Sequence, residues 1–417
     1  LLRIGDADGL NVFTLGGGLL TTQTGIRLAN DATVQLDADT SVAPATTLRG
    51  DNSGGDETLI LNGVMDARST TGGISATDGL VVRPIQTGRF DISQNFLSVS
   101  FSVNSTLELA VDGRLRSGAS GGSVAISGGS SGGGTIRTSG GNRFITDDVS
   151  IGKRNTTFDG SNGDIEIRGK TTFTSVNNFQ QNIVTVQNGK LTLAGDVTWD
   201  FNDLKANNQN RLTIASGATL EVTGSGNSYS ATDNVEIRGD GTFLLNNADG
   251  SATGTGNALI LESGITFAGE GQTSSAVQTA GTIAPGNSIG TLTVGSTTFE
   301  DGSTLEIEVT PNNADLLVID GDLDLSSLAD TLKLTGNTTY GREYVIATYT
   351  GSLIGTDPIF NDVDTSNLTI TGPSGAHLDF GTGTNSQIML LIPEPASLSL
   401  LGLGAAALIR RKRLRSS

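Results

Sequence analysis

The residues whose types and spacing come closest to a metal site are aspartates at alternate positions. They occur in GDADG, residues 5–9, and in DGDLDL, residues 320–325. Carboxylates at such spacing supply the oxygen ligands that Ca²⁺ prefers, but neither stretch leads to the bidentate glutamate that completes an EF-hand loop. Asp and Gly are also the ordinary residues of β-turns. We therefore expect no cofactor and no metal site, with calcium as the alternative that these aspartates leave open.

Nucleophilic and metal-ion catalysis have few residues to draw on in this chain. There is no cysteine, and the single histidine, His377, lies in the turn-rich stretch GPSGAHLDFGTG, where we expect a surface turn. A Ser-His-Asp triad needs a histidine beside its nucleophile, and zinc sites are usually built from several histidines or cysteines. The sequence therefore offers almost no material for either chemistry.

Paired carboxylates are the remaining route to catalysis, since the chain has 43 acidic residues. Glycoside hydrolysis needs two such groups facing one substrate, and sugar sites usually add aromatic platforms. Aromatic residues make up only 5% of the chain, with one tryptophan, Trp199, and four tyrosines. We expect a protein that is not an enzyme, and the alternative is a β-helical carbohydrate-active enzyme, either a polysaccharide lyase or a glycoside hydrolase.

The charge of the chain is strongly acidic and unevenly distributed. The net charge is −18, although five basic residues cluster near the C-terminus. An acidic surface repels nucleic acid and anionic lipid, so we expect no nucleic-acid partner.

Short alternations of apolar and polar residues predict the elements that must position any site. Examples are GDIEIRG at 163–169, SGATLEVTG at 216–224 and GSTLEIEVT at 302–310. A period of two places one side of a strand in a core, and Thr, Val, Ile and Leu favour strands. No stretch before residue 396 keeps a helical period for three turns, so the sequence predicts an all-β protein.

The spacing of these strands favours a solenoid over a sandwich or a barrel. Units that begin with Gly and continue to Leu or a similar residue start near Gly189, Gly217, Gly241, Gly281 and Gly302, with gaps of 28, 24, 40 and 21 residues. Repeats of this length are typical of solenoids, whose thin core also suits a hydrophobic content of only 35%. We expect most phenylalanines to stack in that core, namely Phe173, Phe179, Phe201, Phe243, Phe267 and Phe299.

One stretch carries a family resemblance. TIAPGNSIGTLTV, residues 282–294, resembles the APGNSxGTLTV signature of autotransporter-associated β-strand repeat proteins, and DLLVIDGDLDL, residues 315–325, resembles the segment that follows it. The resemblance implies a right-handed parallel β-helix exposed outside the cell. We expect a β-helix repeat region at 1–310 and a C-terminal β region at 311–392 that continues or caps the solenoid.

The last 25 residues, 393–417, resemble a PEP-CTERM sorting signal, which has a recognition motif, an apolar helix and a basic end. The motif is Pro393, Glu394 and Pro395, the apolar helix spans 396–409, and the basic residues are Arg410, Arg411, Lys412, Arg413 and Arg415. The resemblance implies processing by an exosortase, a membrane-embedded peptidase of Gram-negative bacteria. Fourteen helical residues reach only ~21 Å, against a bilayer core of ~30 Å, so the span suits a temporary anchor. The positive-inside rule places the basic end in the cytoplasm.

These features together predict an exported structural or adhesion protein of a biofilm-forming Gram-negative bacterium. The precursor would be held in the inner membrane transiently by 396–409, and the mature protein would reach the cell surface or the extracellular exopolysaccharide matrix. The expected partners are the exosortase and exopolysaccharide. Because the chain opens inside a strand-rich pattern, LLRIGDADGLNVFTL, we also expect the native precursor to extend upstream.

Overall fold

The structure is a computed structural model of the 417-residue chain. It describes the strands between residues 2 and 152 and then the stretches 156–174, 182–200, 210–224, 226–229, 234–246, 258–339, 341–355, 362–370, 377–380 and 386–392. The chain divides into two compact units, one of residues 1–267 with 271–275 and the other of residues 268–270 with 276–417.

The strands of the first unit are short and follow one another closely. They are β1 (Leu2–Ile4), β2 (Val12–Leu15), β3 (Gly18–Leu20), β4 (Ile26–Leu28), β5 (Thr33–Leu36), β6 (Thr40–Val42), β7 (Leu48–Arg49), β8 (Thr58–Leu61), β9 (Val64–Ala67), β10 (Ser75–Ala76), β11 (Val81–Pro84), β12 (Arg89–Ile92), β13 (Ser98–Phe101), β14 (Ser105–Leu109), β15 (Arg114–Ser117), β16 (Ser123–Gly128), β17 (Gly134–Thr138), β18 (Arg143–Ile145), β19 (Asp148–Gly152), β20 (Thr156–Asp159), β21 (Ile165–Ile167), β22 (Thr171–Thr174), β23 (Asn182–Asn188), β24 (Lys190–Leu193), β25 (Val197–Asp200), β26 (Asn210–Ile214), β27 (Thr219–Val222), β28 (Asn227–Tyr229), β29 (Val235–Gly239), β30 (Thr242–Leu245), β31 (Ala258–Leu261) and β32 (Thr266–Gly269), which ends past the unit boundary.

The second unit has longer strands. They are β33 (Ala276–Thr279), β34 (Thr282–Pro285), β35 (Thr291–Phe299), β36 (Thr304–Val309), β37 (Leu316–Asp324), β38 (Thr331–Thr338), β39 (Arg342–Tyr349), β40 (Leu353–Ile354), β41 (Asp362–Ile370), β42 (His377–Phe380) and β43 (Ser386–Ile392).

The first unit is a parallel β-solenoid whose strands pair with strands of the next coil, about 25 residues further along. The first sheet contains β2, β5, β8, β11, β14, β17, β20, β23, β26, β29 and β31. The second face carries β3, β6, β9, β12 and β15 and then β18, β21, β24, β27 and β30. The third carries β1, β4 and β7 and then β10, β13, β16, β19, β22, β25 and β28. The predicted all-β solenoid is confirmed.

The core is a set of apolar columns, because the register places like residues of successive coils side by side. Ile165 pairs with Leu191, Leu191 with Leu220, and Leu220 with Phe243. All four side chains are buried, and in β21, β24 and β27 they alternate with residues that are partly exposed. Alternation within a strand therefore becomes a continuous apolar column along the solenoid.

Aromatic side chains stack within this core, as predicted for the phenylalanines that the structure describes. Phe173 lies against Trp199 with ring centroids 4.5 Å apart, and Phe243 lies against Phe267 at 5.3 Å. Phe299 is buried in the second unit. Phe179 and Phe201 lie outside the described residues.

The second unit is also a parallel solenoid, but it ends differently from the uniform parallel coils that the sequence suggests. Its two parallel sheets contain β33, β35, β37, β39 and β40, and β34, β36, β38 and β41. The last strand, β43, instead runs antiparallel to both β39 and β42. An antiparallel return occupies a sheet edge that would otherwise expose unpaired main-chain groups.

Two expectations from sequence have a definite outcome, and two others stay open. His377 begins strand β42 and pairs with Leu391, so the predicted surface turn is wrong. Within the described residues no helix occurs, and therefore none there is long and apolar enough to cross a membrane. The predicted helix at 396–409 lies outside those residues, and the handedness of the solenoid stays a prediction.

Candidate functional site

The signature stretch forms a tight turn between β34 and β35. Gly286 has a φ of 85°, a conformation that glycine adopts without strain. A Cβ added at Gly286 would lie 2.0 Å from the carbonyl oxygen of Ser288, so a side chain does not fit there. Two main-chain hydrogen bonds join this turn to the end of β32, since Gly286 N donates to Gly269 O at 2.8 Å and Gly269 N donates to Gly286 O at 3.2 Å.

Asp315 holds this turn from the next coil. Its Oδ1 accepts a hydrogen bond from Gly290 N at 2.9 Å, and its Oδ2 accepts one from Glu308 N at 2.7 Å. Main-chain bonds tie the same partners together, because Leu316 N donates to Gly290 O and Asp315 N donates to Glu308 O, both at 2.9 Å. One carboxylate therefore joins the start of β35, the end of β36 and the start of β37.

The surroundings of Asp315 disfavour its charge. Burial raises the pKa of this carboxyl, the two main-chain N–H groups lower it, and the nearby Glu308 and Glu306 carboxylates raise it again. The balance raises the pKa to about 6, and the residue is only 3% exposed. Near neutral pH, keeping the Asp315 carboxylate ionised in this turn therefore costs electrostatic free energy.

The Asp315→Asn variant is expected to change how stability depends on pH. Between pH 4 and pH 6 the folded parent binds a proton at Asp315 that the unfolded chain has lost, so this carboxyl contributes less stability as the pH rises. The free energy of unfolding of the parent minus that of the variant should therefore grow as the pH falls from 7.5 to 4.5, by on the order of 2 kcal/mol. Urea unfolding of the mature protein at several pH values measures this difference.

A matched control is Asp301→Asn in the same unit. Hydrogen bonds from Ser327 Oγ and Leu328 N lower the pKa of Asp301, so its titration falls below this pH window. The parent-minus-variant difference should stay flat for Asp301→Asn between pH 7.5 and 4.5. If the parent-minus-variant free energy for Asp315→Asn stayed flat, or fell as the pH is lowered, the ionised Asp315 would not destabilise the fold as described.

Outward-facing charged side chains join successive coils in the first unit. Glu221 on β27 binds Lys190 Nζ at 2.7 Å and Thr192 Oγ1 at 3.1 Å on the preceding coil, and Asn246 Nδ2 on the following coil at 2.9 Å. Burial acts to raise the pKa of Glu221, but these hydrogen bonds outweigh it and lower the pKa. The carboxylate is thus ionised at neutral pH and links three coils.

The same use of charge recurs on other strands. Arg238 on β29 pairs with Glu236 on its own strand and with Glu262 of the next coil, 2.9 Å away. Lys333 on β38 pairs with Glu306 on β36 at 2.9 Å. Exposed pairs of this kind contribute little stability each.

The aspartates of DGDLDL accept hydrogen bonds, two of them from the following coil and one from the turn directly after the strand. Asp320 Oδ1 accepts from Thr350 Oγ1 at 3.1 Å, Asp322 Oδ1 accepts from Ser352 N at 2.7 Å, and Asp324 Oδ1 accepts from Ser326 N at 2.9 Å. Across the part of the chain that the structure describes, no three acidic or histidine side chains are grouped to hold a metal ion. GDADG lies outside the described residues, so calcium stays open there.

The described chain ends where the predicted sorting tail begins. The last strand, β43, finishes at Ile392, whose carbonyl oxygen accepts a hydrogen bond from Gly341 N at 2.8 Å. The Ile392 side chain is 2% exposed. The motif Pro393, Glu394 and Pro395 therefore starts one residue after a buried, hydrogen-bonded strand.

The sequence analysis predicted functional residues in the C-terminal tail and did not identify Asp315. The motif residues and the basic cluster 410–415 lie outside the described residues, so their roles stay predictions. Asp315 was not identified because a single aspartate next to a turn is common in β proteins. Its position was its only distinguishing feature, since it opens the segment DLLVIDGDLDL that follows the signature stretch.

Comparison with known proteins supports the interpretation of the C-terminal tail as a sorting signal. Residues 391–413 match the family model described as the PEP-CTERM protein-sorting motif, a span that includes the Pro-Glu-Pro motif and ends before Arg415. No curated protein matches the chain. The likeness to autotransporter-associated repeats stays a resemblance. The PEP-CTERM signal implies an exported protein that is processed by an exosortase from a membrane-anchored precursor.

Proposed function

We propose that the mature protein is a structural or adhesion component of the bacterial surface or of the exopolysaccharide matrix. The C-terminal tail directs its processing, and the exosortase recognises the motif formed by Pro393, Glu394 and Pro395. Residues 396–409 hold the precursor in the inner membrane, and the basic end keeps that segment in one orientation.

The observation that carries this proposal is how the outward-facing polar groups are used. Glu221 binds two neighbouring coils, Arg238 and Lys333 each pair across coils, and Asp320 and Asp322 bond to the coil that follows. These side chains bond one coil to the next within the solenoid. A catalytic site would instead need several of them to converge on one bound substrate.

A long repetitive surface suits a scaffold for polymers. Solenoids present the same strand face many times, so weak contacts with a repeating glycan can add up along the chain. The acidic charge of the chain, −18 overall, keeps such a surface solvated and disfavours nucleic acid.

The test is to delete the gene and to fractionate the extracellular matrix of the parent strain. We expect the mature protein to co-purify with matrix polysaccharide, and the deletion strain to form a weaker matrix. Mature protein found free in the medium, with an unchanged matrix in the deletion strain, would contradict the proposal. Shortening of the isolated polysaccharide by the purified protein would favour the alternative of a β-helical lyase or hydrolase.

A further inference from the structure

The strand that precedes the sorting motif is held on both edges. Glu343 of β39 pairs with Leu391 on one side, and His377 of β42 pairs with the same residue on the other. Ile388 and Leu390 are fully buried, and Ile392 is 2% exposed. The main chain and the apolar side chains of β43 are therefore both occupied by the fold.

The sorting signal overlaps this strand. The matched motif begins at Leu391, so its first two residues are the last two of β43, and Pro393 follows directly. Nothing in the sequence separates the folded module from the motif. The three motif residues span at most about 10 Å when extended, because an extended chain covers roughly 3.3–3.6 Å per residue.

That reach is short for an active site embedded in a membrane. Proteins that bind extended peptides often pair with the peptide main chain, and the main chain up to Ile392 is already engaged. If β43 leaves the sheet, its seven residues add about 24 Å of free chain before the motif.

We propose that β43 is a release strand, which must peel away from β39 and β42 before the exosortase can cut the tail. The buried residues Ile388, Leu390 and Ile392 set how readily the strand opens. After cleavage the strand returns to the sheet and closes the end of the solenoid. This inference depends on processing by an exosortase and not on the role proposed for the mature protein.

A reversible cross-link tests the proposal in the full-length protein. Val345 and Met389 lie opposite each other on antiparallel strands, where Cα atoms are about 4.5–5.5 Å apart, within the range of a disulfide. Both residues lie outside the matched span 391–413. The chain has no cysteine of its own, so Val345→Cys with Met389→Cys creates a single defined pair. The oxidising periplasm forms the bond, and added reductant breaks it.

The cross-linked precursor should be processed at least tenfold more slowly than the parent, and reductant should restore the parent rate. Each single cysteine variant should be processed like the parent. Eight Gly and Ser residues inserted between Ile392 and Pro393 should restore processing of the cross-linked protein, since they supply about the same reach as β43.

Processing of the cross-linked variant at the parent rate would overturn the proposal. A block that the inserted residues do not relieve would also overturn it, because strand release would then not be the limiting step. Failure of the sorting interpretation itself has a different outcome: Glu394→Ala in the parent background would be processed normally, whatever the cross-link does.

Discussion

The Glu394→Ala variant is expected to accumulate as uncut, full-length protein in the inner membrane. The two flanking prolines disfavour helix at Ile392 and Glu394, which keeps the motif extended next to the apolar segment. The substitution removes the only charge of the motif and leaves residues 396–409 and the basic end intact, so insertion should proceed and processing should fail. Immunoblots of membrane and extracellular fractions measure the ratio of uncut to mature protein, which should rise at least tenfold.

The control is Glu300→Ala, which removes an exposed glutamate of the folded region. This variant should be processed and exported like the parent. If Glu394→Ala is also processed like the parent, the motif loses its central residue, and the tail would then be a simple membrane anchor.

The Phe173→Ala variant is expected to destabilise the first unit by about 3–5 kcal/mol, because a buried ring is lost and a cavity remains. Phe173 is 0% exposed and stacks on Trp199 with ring planes 7° apart. Trp199 is the only tryptophan, so its fluorescence reports unfolding at this position. Urea titration followed by that fluorescence should show a midpoint well below that of the parent.

The matched control is Gln187→Ala on β23, an exposed position in the same unit. Surface substitutions of this kind usually change stability by less than about 0.5 kcal/mol. If Phe173→Ala changed stability as little as the control, the aromatic stack would not contribute substantially to the stability of these coils.

The period-two pattern predicted the solenoid, but the repeat was only partly visible in the sequence. The strands begin one or two residues after Gly189, Gly217, Gly241, Gly281 and Gly302, but the gap of 40 residues after Gly241 is irregular. The structure places a further coil in that gap, where Gly264 has a φ of 94° and precedes β32. The stretch from Gly264 reads GITFAG, with Ile, Thr and Phe in place of the leucine found after Gly189, Gly217, Gly241 and Gly302, so the pattern did not include it.

Features that depend on contacts between distant parts of the chain could not be predicted from local sequence patterns. Asp315 holds Gly290 and Glu308, and nothing in the local composition indicates that its carboxylate turns inward. The antiparallel direction of β43 was hidden for a similar reason, since SQIMLLI alternates equally well in either direction. His377 was misplaced because the glycines around it suggested a turn, whereas pairing with Leu391 draws it into a strand. Local patterns predict strands and their buried faces, while the direction of a closing strand is decided by the edge it covers.

The most direct measurement of the central claim is mass spectrometry of the mature C-terminus in strains with and without the exosortase. We predict that the extracellular protein retains β43 through Ile392 and lacks the apolar segment 396–409 and the basic end. We also predict that the strain without exosortase holds the intact chain to Ser417 in its inner membrane. The same truncated C-terminus in both strains, or an extracellular protein that still carries the whole tail, would contradict the claim.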